Sequence, residues 1–216
     1  MHNHMGGSVF TSMHCDRKPA AHIAKAARIR SLVINYRRSP EHKFPAQIED
    51  VEKAFDWLLG QGYRPENIAS VGHSIGGNLA VSLAVRLRDR GATLPGAILS
   101  ISPWCDLTLS SNSIEANADV DMVLTRGLLE LFRSCWLDGT GVHWTDPRVN
   151  LLKADLTSCS RMRRCNSRCG RKRLATINNS SRLRTVSTRS SWAPAAFPRS
   201  MTPSRKWGSG CVGSFY

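Results

Sequence analysis

Three short apolar segments recur in the first half of the chain, and a segment with helical spacing separates each from the next. The apolar segments are residues 31–36, 68–73 and 97–102. Hairpins join strands through a few residues, whereas parallel strands need a crossover of about a dozen residues or more, usually a helix. The pattern therefore predicts βαβ units: an α/β fold with a mostly parallel sheet and helices on both faces.

Three segments carry the helical signals. Residues 19–28 are rich in alanine, and residues 45–59 repeat apolar side chains at helical spacing. A third helix is predicted over residues 78–90, where Gly91 follows as a helix-ending residue and Pro95 cannot continue the pattern. The chain of 216 residues provides for one domain of ordinary size.

The charge of the chain divides sharply near residue 155. Of 30 basic and 16 acidic residues, residues 1–155 hold 17 basic and all 16 acidic ones, and the remaining 13 basic residues lie in residues 156–216. That second segment alternates Arg with Ser and has no apolar periodicity, so burial could not offset the entropy of ordering it. We expect a folded domain over 1–155 and a basic Ser/Arg-rich tail over 156–216 that is disordered.

Cysteine usage and hydropathy limit the class of protein further. Seven cysteines, an odd number in a chain of this length, favour free thiols in a reducing compartment, and a cytoplasmic location is expected. Cys165 and Cys169 lack the paired spacing of a zinc ribbon, so neither a metal nor another cofactor is expected. No run of about 18 apolar residues occurs, so no membrane span is predicted.

A glycine-flanked serine lies where the second predicted strand meets the third helix. Residues 72–76 read GHSIG and fit G-x-S-x-G, and Gly77 follows. A serine on a sharp strand-to-helix turn needs neighbours without side chains, and the turn presents its hydroxyl beside a helix N-terminus. Ser74 is the candidate nucleophile, in an elbow formed by Gly72, His73, Gly76 and Gly77. The alternative is a glycine-rich turn whose serine merely caps the helix.

Further motifs occur in a fixed order around this elbow. They are HMGG at residues 4–7, YRRSPEHKFPA at residues 36–46, GHSIGGN at residues 72–78 and SPWCDL at residues 102–107. Together they resemble the hormone-sensitive-lipase-like branch of the α/β hydrolases over about residues 3–155. The resemblance implies a partial α/β-hydrolase fold and a serine esterase or lipase that acts on small carboxylic esters.

The resemblance also implies roles for individual residues. It makes Ser74 the nucleophile and assigns the oxyanion hole to the backbone amides of Gly6, Gly7 and Ile75. Met5 stands where the family loop has a glycine, so the backbone there must accept a side chain, and the hole is expected to be distorted.

Two histidines test whether the chain holds a general base. His73 precedes the nucleophile where this branch usually has Asp, and neighbouring residues on a strand point to opposite sides, so we expect His73 to be a packing residue. The family orders its triad as Ser, acid and His, yet His143 is the only histidine after Ser74. No Asp, Glu or His follows Asp155. The triad acid and base are therefore expected to be missing and the activity to be impaired.

Two interpretations of residues 156–216 remain open. In the first, the Arg- and Lys-rich residues 161–173 form a basic arm that contacts phosphates, with Trp192 and Trp207 as stacking groups. In the second, favoured by the abrupt loss of acidic residues, the tail is a hydrolase gene translated out of register after about residue 156. The start is expected to be truncated too, because the loop at residues 4–7 would open the chain without a preceding strand.

The function expected from the sequence is thus a serine carboxylic ester hydrolase of impaired activity. A catalytically inactive remnant, or a nucleic-acid-binding protein that acts through the basic tail, are the alternatives. The expected partner is a small carboxylic ester, with no nucleic acid and no metal. The sequence predicts neither the acyl and alcohol specificity nor the oligomeric state.

Overall fold

The computed structural model describes residues 1–156, together with the backbone of residues 174–177 and 212–215. The expected disorder of the basic tail falls mainly on positions outside the described residues and stays a prediction. Within the described parts of the chain, every helix is too short or too polar to cross a membrane.

In the part of the chain that the structure describes, a six-stranded sheet forms the centre of the fold. Its strands are β1 (His2–Asn3), β2 (Leu32–Ile34), β3 (Ala69–His73), β4 (Ala97–Ile101), β5 (Leu174–Ile177) and β6 (Val212–Phe215). The order across the sheet is β5-β4-β3-β1-β2-β6, and every neighbouring pair is parallel except β2 and β6, which are antiparallel. The predicted mostly parallel sheet and its three predicted strands are confirmed.

The strand β1 corrects an expectation. The loop at residues 4–7 does not open the chain without a strand, because His2 and Asn3 pair with β2 on one side and β3 on the other. Two residues are too few to show a strand periodicity, so the sequence carried no signal for β1.

Among the described residues, five α-helices and a short 3-10 helix accompany the strands. They are α1 (Met13–Ala27), α2 (Ala46–Gly60), the 3-10 helix Pro65–Asn67, α3 (Ile75–Asp89), α4 (Asn112–Ala116) and α5 (Arg126–Leu137). The helix α1 begins at Met13 rather than at residue 19, because the Ser12 side chain accepts a hydrogen bond from the His14 amide and caps it. The sequence analysis did not predict α4 or α5.

The helices cover both faces of the sheet, as predicted. Crossovers between parallel strands are right-handed, and the chain moves in opposite directions along the sheet in the β1–β2 and β2–β3 connections. This places α1 on one face and α2 and α3 on the other, where α2 packs against α3. Phe55, Leu79 and Leu83 lie at the centre of the resulting core and are almost completely buried.

Strand order places two loops side by side. In the register of β1 and β3, Asn3 lies opposite Gly72, so the two strands end at the same edge of the sheet. The HMGG segment follows β1 and the GHSIG turn follows β3, and these segments come from opposite ends of the first half of the described chain. The sheet therefore brings them together.

Candidate active site

Ser74 lies between β3 and α3 in an unusual backbone conformation. Its φ is 56° and its ψ is −122°, a region that residues with a side chain seldom adopt. The Ser74 amide donates to Ile101 O (3.1 Å), and its carbonyl oxygen accepts from the amides of Asn78 (3.1 Å) and Trp104 (3.2 Å). Contacts with β4 and the loop after it thus hold the strained turn in place.

The glycines on either side of Ser74 permit a very tight approach of backbones. A Cβ on Gly72 would lie 2.1 Å from Gly76 O, and a Cβ on Gly76 would lie 2.1 Å from Asn3 O. Gly77 faces the Ser100 hydroxyl, 2.8 Å from where its own Cβ would be. The turn therefore requires small residues because β1, β3, β4 and α3 meet there.

The Ser74 side chain does not cap α3. Ser74 occupies the N-cap position of this helix without a side-chain hydrogen bond to it, so the alternative of a capping serine is wrong. The residue is half-buried, and among the described residues nothing hydrogen-bonds its hydroxyl or accepts from the Ile75 amide. An available hydroxyl and a helix N-terminal amide are therefore neighbours at the sheet edge.

The loop at residues 4–7 is held by its carbonyl groups. The carbonyl oxygens of residues 4, 5 and 6 accept hydrogen bonds from, respectively, the Tyr36 hydroxyl (2.8 Å), the Thr11 hydroxyl (2.6 Å) and the Phe10 amide (2.8 Å). The amides of Gly6 and Gly7 have no acceptor among the residues that the structure describes. The loop thus presents two unused N–H groups.

The backbone angles of the loop show whether Met5 strains it. Gly6 and Gly7 have φ values of 109° and 63°, which favour glycine, but Met5 is not among the residues of positive φ. The Met5 side chain therefore requires no backbone strain, and the expected distortion at this position has no basis in its φ. A Cβ on Gly7 would lie 2.3 Å from the ring of Phe132, so α5 packs directly against the loop.

His4 is a buried part of the loop. Its ring stacks on Tyr36 with the centroids 3.9 Å apart, and its Nδ1 lies 2.8 Å from Met5 O. Burial lowers the pKa of His4, and the hydrogen bond to the Met5 carbonyl opposes that shift only in part. Burial likewise raises the pKa of the Tyr36 hydroxyl well above its usual range, so Tyr36 remains a hydrogen-bond donor to the loop.

The two histidines weighed as bases have different surroundings. His73 ends β3 and is half-buried, and its ring hydrogen-bonds no other described residue. His143 is exposed, its Nδ1 lies 2.8 Å from the Thr145 hydroxyl, and its ring packs on Trp144. Neither ring is paired with a carboxylate in the described residues.

Asp138 and Asp146 lie near His143 in the sequence and are the acids that could orient its ring, but each is exposed or engaged elsewhere. The Asp146 carboxylate contacts the Arg148 guanidinium at 2.7 Å, and hydrogen bonding to Arg148 lowers the pKa of Asp146. Asp138 is exposed, and its backbone carbonyl accepts from Lys43. The Asp146 amide donates to His143 O (2.9 Å), but neither carboxylate contacts the His143 ring.

Sequence reasoning missed Asp16, a residue that contacts the loop. Its Oδ2 accepts from the Met5 amide at 3.2 Å and lies 3.0 Å from His2 Nε2, and the carboxylate is buried. Asp16 belongs to a polar segment at the start of α1, and no spacing or motif in the sequence distinguishes it. Phe132, which packs on Gly7, likewise belongs to no motif that the sequence shows.

The remaining chemical features are the cysteines, the metal-ligating side chains and a cleft. Cys15, Cys105 and Cys135 are free thiols, and the described part of the chain has no cluster of three or more metal-ligating side chains. Cys165 and Cys169 lie outside the described residues. A cleft of about 370 Å³ lies beside Trp104, whose amide donates to Ser74 O, but neither Ser74 nor the loop at residues 4–7 lines this cleft.

Comparisons with known proteins agree with this architecture. A sequence profile of the α/β hydrolase fold matches residues 1–165. An esterase of Acinetobacter venetianus is 31% identical over 155 residues, which are 72% of this chain and 51% of that protein. An acetyl-hydrolase of Streptomyces hygroscopicus is 35% identical over 145 residues, 67% of this chain and 47% of that protein.

Solved structures give the same result. An esterase from the bacterial hormone-sensitive lipase family superposes with a TM-score of 0.68 at 38% identity, over 72% of this chain and 52% of that one. An esterase/lipase from an uncultured bacterium has a TM-score of 0.66 at 33% identity, over 72% and 51% of the two chains. This chain thus spans about half the length of the relatives it matches. Because the family profile covers most of the sequence and the sheet superposes on these esterases, the chain belongs to the α/β hydrolase fold family, in its hormone-sensitive-lipase-like branch.

Proposed function

We propose that this chain carries the nucleophile and the oxyanion hole of a serine carboxylic ester hydrolase. The observation that carries the proposal is the backbone of Ser74, held at φ 56° between β3 and α3 with its hydroxyl unused by any described residue. Strain of this kind persists only where surrounding structure maintains it, and it concentrates at functional sites. Ser74 is the proposed nucleophile.

The proposed chemistry is acyl transfer. The Ser74 oxygen forms a bond to the ester carbonyl carbon, and the hydroxyl proton passes to a base. The π electrons of the C=O bond move onto the carbonyl oxygen, which becomes an oxyanion. The amides of Gly6, Gly7 and Ile75 are the proposed donors to that oxyanion, and the N-terminus of α3 adds a favourable field. Collapse expels the alcohol with a proton, and water then releases the acid from the acyl-enzyme.

The substrate class follows from the relatives. Those proteins are named an esterase and an acetyl-hydrolase, and a solved esterase that is 33% identical was soaked in p-nitrophenyl butyrate. We propose a small carboxylic ester as the substrate of this chain too. The free thiols of the described residues support a reducing, cytoplasmic setting.

The proposed site has no general base in contact with Ser74 among the described residues. His143 is the only histidine after Ser74, and its contacts are with Thr145 and Trp144. A serine without its base retains a rate about 10³–10⁴-fold above that in water, through the oxyanion hole and binding alone. We therefore expect slow covalent reaction rather than fast turnover.

Covalent labelling tests the proposal. Diethyl p-nitrophenyl phosphate, which phosphorylates an activated serine, should label the parent chain on the Ser74 peptide and release p-nitrophenolate in equal amount. Ser74→Ala should lose this labelling. Ser102→Ala is the matched control, because Ser102 is an exposed serine at the end of β4 that also has a positive φ, of 40°. Labelling of Ser74→Ala at the parent rate would show that the nucleophile is a different residue.

A further inference from the structure

The buried carboxylate of Asp16 contacts the start of the loop at residues 4–7. Asp16 Oδ2 accepts from the Met5 amide at 3.2 Å and lies 3.0 Å from His2 Nε2. The His2 and Asp16 side chains are only 4% and 3% exposed. Both partners of this carboxylate belong to residues 2–5, the strand β1 and the start of the loop.

Burial of a carboxylate is unfavourable unless hydrogen bonds and nearby positive charge compensate for lost water. Asp16 lies in the first turn of α1, where the helix N-terminus favours negative charge. Its Oδ1 has no hydrogen-bond partner in the described part of the chain, so Oδ2 makes both hydrogen bonds of the carboxylate. The carboxylate is therefore committed to the segment that leads into the loop.

The geometry of the peptide planes connects this contact to the oxyanion hole. The His4 carbonyl and the Met5 amide belong to one planar peptide group, and Tyr36 holds its oxygen (2.8 Å) while Asp16 holds its N–H (3.2 Å). The orientation of that plane is thus fixed at both ends.

The next two peptide groups are held at their oxygens alone. The Met5 carbonyl accepts from Thr11 and the Gly6 carbonyl from Phe10. In a trans peptide the N–H points away from the C=O, so these contacts aim the Gly6 and Gly7 amides to the other side of the loop. The first plane joins the second at the Met5 Cα, so the Asp16 contact limits the freedom of the segment that carries the Gly6 and Gly7 amides.

We propose that Asp16, paired with His2, is a positioning residue that orients the oxyanion-hole loop for the reaction of Ser74. The inference rests on the proposed function, because it assigns an orienting role to the loop amides of that same site. Asp16 touches neither substrate nor reacting atoms; it acts through the peptide group between residues 4 and 5.

Labelling kinetics with diethyl p-nitrophenyl phosphate separate positioning from binding. Misplacement of catalytic groups by about 1 Å lowers rates by about 10²-fold, so Asp16→Ala should lower the limiting labelling rate by that order. The reagent concentration for half-maximal rate should stay unchanged. Asp16→Asn keeps an oxygen at the position of Oδ2, where it can accept from both the Met5 amide and His2 Nε2, and it should recover at least about tenfold of the loss.

A destabilised control excludes a general effect on folding. Leu87→Ala creates a cavity near the C-terminal end of α3, at the opposite end of this helix from Ser74, where Leu87 is 1% exposed. Like Asp16→Ala, this variant is expected to lower the midpoint of urea unfolding, but it should keep the parent labelling rate. Equal losses of labelling in Leu87→Ala and Asp16→Ala would overturn the inference.

Hydrogen exchange gives a readout that needs no activity. In Asp16→Ala the Met5 amide should exchange at least about tenfold faster than in the parent, since it loses its acceptor, while amides of β3 keep their rates. Unchanged Met5 exchange would overturn the positioning role, whether or not the chain reacts. Labelling that persists in Ser74→Ala would instead refute the proposed function, so the two failures are distinguishable.

Discussion

Ser74 depends on its immediate neighbours for its conformation. The Ser74 amide donates to Ile101 O of β4, and the Ser74 carbonyl accepts from the Trp104 amide. Gly72 and Gly76 leave room for the backbones that pass close to the turn. A side chain at either glycine would meet backbone oxygen at 2.1 Å. The conformation of Ser74 therefore depends on the lack of side chains at Gly72 and Gly76.

His143→Ala tests whether the chain holds its own general base. We expect the rate of Ser74 labelling to change by less than about twofold, whereas loss of a working base would lower it by about 10²–10⁴-fold. The reason is that the His143 ring contacts Thr145 and Trp144 and pairs with no described carboxylate. A phosphorylation time course of the two proteins measures the difference. A fall of two orders of magnitude would identify His143 as the base.

At the scale of elements, the site is the meeting point of β1, β3 and α3. The central position of β1 between β2 and β3 brings the loop beside the elbow. Gly76, in the first turn of α3, lies against the backbone at the end of β1. The closeness of α3 to β1 therefore sets the distance between the Ser74 turn and the loop amides.

Gly76→Ala should force these elements apart. The added Cβ would lie 2.1 Å from Asn3 O and 2.6 Å from His4 O, and overpacking of this kind lowers the free energy of unfolding by about 1–3 kcal/mol. Urea unfolding measures the change. Gly60→Ala is the matched control: nothing lies within 4 Å of its Cβ position at the end of α2, so alanine there should be neutral or stabilising. Equal stabilities of the two variants would contradict the contact.

At the scale of the whole molecule, both faces of the sheet contribute to one site. The helix α1 supplies Asp16 from one face, α3 supplies the Ile75 amide from the other, and α5 packs Phe132 against Gly7. His4, the first residue of the loop, is also buried, so the stability of the folded chain depends on the protonation of its ring.

The folded chain should therefore lose stability in mild acid. Burial lowers the pKa of His4, so below about pH 6.5 the unfolded chain takes up a proton on His4 that the folded chain binds only at lower pH. The free energy of unfolding then falls as pH falls, by at most about 1.4 kcal/mol per pH unit from this group. Urea unfolding at about pH 7.5 and about pH 5.5 should show a smaller difference for His4→Gln than for the parent.

The variant Leu87→Ala serves as the control for this measurement too. It removes buried apolar contacts and no titrating group, so it should be less stable than the parent yet keep the parent's pH dependence. If His4→Gln loses stability between the two pH values as steeply as the parent, His4 is not the group responsible.

Local patterns in the sequence were sufficient for the order of the main elements. Apolar segments and helical spacing located β2, β3 and β4 and the helices between them, and GHSIG located the turn at Ser74. These signals are local, because the apolar repeat of a strand or helix and the glycines of a turn can be recognised within a few consecutive residues. The helix α1 was placed too late, since its first turn is polar and capped by Ser12.

The sequence by itself determined the fold class, the turn that bears Ser74 and the absence of any acid or histidine after Asp155, since composition and short-range spacing are sufficient for each. Only the tertiary structure decided that β1 lies between β2 and β3 and that Asp16 and Phe132 reach the loop. Those contacts join residues far apart in the chain, and their free energy depends on packing and desolvation, which appear only when the elements assemble.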